Sequence, residues 1–98
     1  MLNRDDIFRS VMSQRDALRA RGVRRLGLFG SFARNEARAD SDIDLLVEFE
    51  PDRVEQYFDV KFLLEDLLGR DVDLVIAEDI KPRLRKHILP NVIDVPGL

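Results

Sequence analysis

Residues 23–49 read VRRLGLFGSFARNEARADSDIDLLVEF, two apolar runs separated by a Gly-Ser pair and a polar stretch. Val23 to Phe29 is short and ends in Leu26, Leu28 and Phe29, which reads as a strand feeding Gly30. Ser31 to Ala37 spans one or two helical turns, Arg38 to Ser41 is a polar loop, and Asp42 to Phe49 is the clearest strand. Side chains alternate along that second strand, so Ile43, Leu45, Val47 and Phe49 share one face while Asp42, Asp44, Leu46 and Glu48 share the other. Asp42 and Asp44 therefore point the same way, with Cα atoms about 7 Å apart. That spacing lets two carboxylates ligate one ion or two neighbouring ions.

Working outward, Ile7, Phe8, Val11, Met12 and Leu18 recur at helical spacing between Asp5 and Ala20. Asn3 is a candidate cap, Asp5 and Asp6 suit the positive end of the helix, and Gly22 stops it. On the other side Pro51 and Asp52 make a break. Tyr57, Val60, Leu64, Leu67 and Leu68 then form a helix that runs up to Gly69. Val72 to Ile76 is a third strand, and Pro82 opens a last helix bearing Leu84, Ile88 and Leu89. Pro90 and Pro96 bracket an irregular tail. The order α-β-α-β-α-β-α predicts a layered α/β or α+β fold, with helices packed on a small sheet whose strand order and directions the pattern leaves open.

The third strand repeats the arrangement of the second: Val72, Leu74 and Ile76 face one side, Asp71, Asp73 and Val75 the other. If the two strands are neighbours, Asp73 joins Asp44. Acids gathered on one sheet face repel one another and lose hydration, which costs stability or raises at least one pKa. A divalent cation reverses that sign. Oxygen ligands without His or Cys suit Mg²⁺ or Mn²⁺, which complete their shell with substrate phosphates and water. Taken alone, an Asp-x-Asp on a strand is more often a turn cap followed by a solvent-facing acid.

Gly30 and Ser31 lie where a strand turns into a helix, a place where exposed N–H groups and a hydroxyl hold anions. Arg34, one turn later, can reach the same anion. A plain turn with a serine cap is the blander reading of the pair. His87 sits among Arg83, Arg85 and Lys86, which oppose a cation, so it is expected at the surface and not in a metal or catalytic role. Tyr57, Phe58 and Phe62 are expected in the core or an interface.

The 98 residues have room for one domain, 1–98, with one modest core, and 45% of them are hydrophobic. The absence of cysteine excludes disulfides and thiolate metal sites. No apolar run approaches the roughly 20 residues of a membrane span, so a cytoplasmic protein is expected. Sixteen basic and 19 acidic residues give a net charge of -3, and this balance disfavours direct binding to nucleic acid.

Residues 30–47, GSFARNEARADSDIDLLV, resemble the signature of the nucleotidyltransferase superfamily that includes DNA polymerase beta, above all its minimal nucleotidyltransferases. Gly30, Ser31, Asp42 and Asp44 fall on the family's Gly-Ser, ten residues, Asp-x-Asp pattern. Arg34, Glu36 and Ala37 also match, while Asn35 stands where a glycine is common. Asparagine tolerates a left-handed backbone, so that departure is mild. The stretch from Leu68 to Val75 is similar to the segment carrying the third carboxylate, which places that acid at Asp73 and not at Asp71.

The resemblance implies a small mixed sheet flanked by helices. It also implies Mg²⁺ or Mn²⁺ held by Asp42, Asp44 and Asp73, with Gly30, Ser31 and Arg34 on the phosphates of ATP. Minimal nucleotidyltransferases are typically antitoxins paired with a helical HEPN-type ribonuclease toxin, which they neutralise by adding AMP to a tyrosine. The expected activity is therefore transfer of AMP from ATP to a hydroxyl of a HEPN partner. Two rivals stand beside it: an antitoxin that masks its toxin stoichiometrically, and nucleotidyl transfer to a small molecule.

Overall fold

A computed structural model describes residues 2–98. The chain runs α1 (Arg4–Ser13), α2 (Arg15–Ala20), β1 (Val23–Phe29), α3 (Gly30–Ala33), β2 (Ile43–Phe49), α4 (Tyr57–Leu68), β3 (Val72–Ile76), α5 (Pro82–Ile88) and β4 (Ile93–Asp94). Short 3₁₀ turns precede α4 and flank α5. The strands form one mixed sheet in the order β3-β2-β1-β4. β1 is antiparallel to both neighbours, and β2 is parallel to β3.

α1 begins as expected: the Asn3 side chain accepts from the Asp6 N–H, and the Asp6 carboxylate accepts from the Asn3 N–H. The single helix expected over 5–20 is instead two, broken at Gln14. Just before the break the Ser13 hydroxyl donates to the Ser10 carbonyl, a local bond that competes with the helical ladder. α4 ends at Gly69 in the left-handed conformation, and α5 carries Pro82 in its first turn.

The fully buried Ile43, Leu45 and Val47 of β2 pack with Leu26 and Leu28 of β1, Ile7 and Val11 of α1, and Val60 and Leu64 of α4. This is the main core, on one face of the sheet. On the opposite face of β2, Leu46 is buried outside that cluster, while Asp44 and Glu48 are half-buried. The cover there is thin, since α5 has no buried residue. Phe58 and Phe62 are 62% and 55% exposed on the outer side of α4, so of the three aromatics only Tyr57 packs on the core. The tail expected to be irregular supplies β4, and its Val95 is buried with its N–H donating to the Leu26 carbonyl. No described helix is long and apolar enough to cross a membrane.

Candidate functional site

The site begins where β1 ends. Phe29 lies opposite Asp44 in the β1–β2 register, and Asp44 lies beside Asp73 in the β2–β3 register. One row across the sheet thus runs Phe29, Asp44, Asp73. Gly30 follows with φ +72° and opens α3. A Cβ on Gly30 would overlap Asp44 Oδ2, so both the backbone conformation and the carboxylate's approach require glycine here. Asn35, φ +58°, takes the left-handed conformation by which the chain leaves α3.

Asp44 is half-buried, and its carboxyl is pushed above the usual carboxylate range. Burial is the main cause; the charges of Asp73 and Asp42 add to it, and Arg34 opposes them. The three acids therefore share one electrostatic neighbourhood. They do not close on one another, because no group of three acidic or histidine side chains among the described residues is close enough to cage an ion. Asp42 lies exposed just before β2, and Asp73 is exposed on β3. An open set of hard oxygen donors around a carboxylate that resists ionisation fits Mg²⁺ or Mn²⁺, whose remaining positions go to phosphate and water.

Beside this row lies a cleft of about 380 Å³ lined by Phe29, Gly30, Ser31, Arg34, Asp44, His87, Ile88 and Asn91. It gathers four of the six residues expected from the sequence and leaves Asp42 and Asp73 outside its lining. Arg34 donates to Glu36 at 3.2 Å on an exposed surface. The far wall was not expected. His87 is exposed, as its basic neighbours suggested, but it faces the cleft together with Ile88 and Asn91, whose amide donates to the His87 carbonyl at 2.9 Å. No spacing in the sequence brings residues 87–91 to Gly30; the packing of α5 does.

Residues 11–95 match the nucleotidyltransferase domain family. The chain belongs to that family. A protein adenylyltransferase, MntA, of Thermococcus cleftensis is 39% identical to it over 97% of this chain and 98% of its own length. A solved structure provisionally assigned as a minimal nucleotidyltransferase is 41% identical, covers 88% of this chain and 93% of its own, and superposes with a TM-score of 0.72. A chain in the structure of tri-AMPylated Shewanella oneidensis HEPN toxin with MNT antitoxin shares the fold, with a TM-score of 0.63 at 21% identity, covering 94% of this chain and 73% of its own. The enzyme is thus a nucleotidyltransferase. The row and cleft at the end of β1 carry Gly30, Ser31 and Asp44 of the stretch that resembles this family's signature, while Asp42 lies just before β2, outside both.

Proposed function

We propose that this nucleotidyltransferase moves AMP from ATP to a tyrosine hydroxyl of a HEPN-type toxin, and so acts in the cytoplasm as an antitoxin. The observation that carries the reading is the seating of Asp44 against Gly30 and beside Asp73 at the mouth of the cleft. The 39% identity to a protein adenylyltransferase along nearly the whole chain supports the nucleotide transferred and the protein acceptor. The AMPylated HEPN toxin found with MNT antitoxin supports the partner. Residues 1–98 would form a single transfer domain, with the acceptor presented by the partner.

In this reading Gly30 and Ser31 hold the terminal phosphates through backbone N–H groups and the Ser31 hydroxyl, and Arg34 adds charge to them. Asp42, Asp44 and Asp73 would hold Mg²⁺ or Mn²⁺, which when bound neutralises the triphosphate and lowers the pKa of the acceptor hydroxyl. The acceptor oxygen forms a bond to the α-phosphorus, and the bond from that phosphorus to the bridging oxygen breaks. Pyrophosphate leaves with the bond's electrons, and the hydroxyl proton passes to a carboxylate; Asp73, which neighbours Asp44 in the register, would either take that proton or serve only as a metal ligand. Most of the rate then comes from positioning and charge neutralisation.

The test is to incubate the enzyme with a co-expressed HEPN toxin, Mg²⁺ and ATP labelled in the α-phosphate, and to read label and mass on the toxin. An adduct of AMP on tyrosine is expected, and none with Asp44→Asn. Undiminished transfer by that variant overturns the assignment of the site. Full neutralisation of the toxin by the dead variant, without nucleotide, would favour masking instead.

A further inference from the structure

Arg70 lies between α4 and β3, and its partners are carbonyl oxygens and a ring face. Its Nη1 donates to the Ser41 carbonyl at 2.9 Å and to the Arg38 carbonyl at 3.3 Å. Its guanidinium carbon sits 5.3 Å from the centroid of Phe32. Each partner belongs to an element that bears a candidate site residue. Phe32 follows Ser31 in α3, Ser41 immediately precedes Asp42, and Arg70 itself sits three residues before Asp73.

The stretch 34–42 needs such a tie. Residues 34–36 and 38–40 are exposed. Within it, the Arg38 N–H donates to Ser41 Oγ at 2.8 Å and the Ser41 N–H returns to the Arg38 carbonyl at 3.1 Å. Those bonds make a compact turn but do not fasten it to the sheet. The Ile43 N–H, donating to the Asp71 carbonyl, fastens it from one side of Asp42, and Arg70 fastens it from the other. A guanidinium suits this position because its planar fork donates in-plane while its face rests on an aromatic ring.

We propose that Arg70 is a positioning residue that fixes the direction of Asp42 by clamping the 38–41 turn onto α3. This rests on the reading of Asp42 as a member of the transfer site, while the clamp itself can be tested without activity. Arg70→Met keeps the stem over Phe32 and removes the donors, and Arg70→Lys restores donors without the planar face.

Amide hydrogen exchange on the full chain is the primary measurement. In Arg70→Met, exchange of the hydrogen-bonded Arg38 and Ser41 amides should quicken on the order of tenfold while the amides of β2 and α4 keep their wild-type rates. Transfer turnover should fall roughly ten- to hundredfold, the usual effect of misplacing a reacting-site group by about an ångström. The KM for ATP should move less than about twofold, because Gly30 and Ser31 are undisturbed. Arg70→Lys should recover part of both the protection and the turnover.

Unchanged exchange of the Arg38 and Ser41 amides in Arg70→Met, or a uniform rise across the whole chain, overturns the clamp. A wild-type chain that transfers no nucleotide overturns the functional reading instead, and the exchange comparison still decides what Arg70 does.

Discussion

Asp44 is held where ionisation is disfavoured, and this carries a cost that can be measured. An acid whose folded pKa is raised destabilises the fold at pH above that value, and the cost disappears as pH falls below its unfolded value. Glu48, on the same strand face, has the opposite sign. Hydrogen bonds from Arg25 and then Arg24 hold it below the usual range, so its contribution is present above its unfolded pKa and is lost as acid titrates through the folded value. Asp44→Asn should therefore raise the melting temperature at pH 7 in chelator, because the amide keeps the shape of the side chain and removes the disfavoured charge. The gain should vanish near pH 3. Equal melting of the two proteins at pH 7 would mean that Asp44 carries no electrostatic strain. Gly30→Ala should act the other way, lowering stability by about 1–3 kcal/mol at a left-handed position and abolishing transfer, since the new Cβ displaces the Asp44 carboxylate. A crystal structure of that variant with Asp44 unmoved would count against this account.

At the scale of elements, what the sequence revealed follows from how local each cause is. β1, β2, α4 and β3 were legible because the alternation or helical spacing of Leu26 and Leu28, Ile43 to Phe49, Val60 and Leu64, and Val72 to Ile76 matches the face each one buries. The break at Gln14 was not legible, because Ile7, Val11 and Leu18 keep a helical period across it. β4 was hidden because it spans only Ile93–Asp94 and depends on a partner far away in sequence. Gly27 in the middle of β1 was the available signal, since a Cβ there would strike Val92. The candidate site divides in the same way: Gly30, Ser31, Asp42 and Asp44 sit within one short stretch, whereas His87, Ile88 and Asn91 arrive by tertiary packing alone. α4 offers a contrast that tests the burial argument. Leu64→Ala should cost about 2–5 kcal/mol by denaturant unfolding, and Phe58→Ser less than about 0.5, because Leu64 is fully buried and Phe58 is largely exposed. α5, with no buried residue, should exchange its amides faster than β2, and on the proposed function it should slow when Mg²⁺ and ATP are added, because its end walls the cleft.

Across the whole molecule the sheet is covered unequally, with α1 and α4 over the core face and little more than α5 over the face that carries Asp44. The thin side leaves a cleft open beside Asp44, whose carboxyl feels the charges of Asp73 and Asp42, so on the proposed function the fold should be more stable with metal and nucleotide than alone. A ligand that binds only the folded state adds about 2.7 kcal/mol at one hundred times its dissociation constant. In a domain of this size that corresponds to roughly 10–20 °C in melting temperature. On the proposed function, neither Mg²⁺ nor a non-hydrolysable ATP analogue should achieve this alone: the carboxylates would need phosphate oxygens to complete the metal's shell, and the triphosphate would need the metal to approach Asp44. The two together should shift melting by more than the sum of their separate shifts. Asp44→Asn should start from a higher melting temperature and lose that excess, which separates relief of repulsion from ligand binding. A wild-type melting temperature unmoved by saturating Mg²⁺ and analogue together would overturn the proposal that the carboxylate row binds metal and nucleotide.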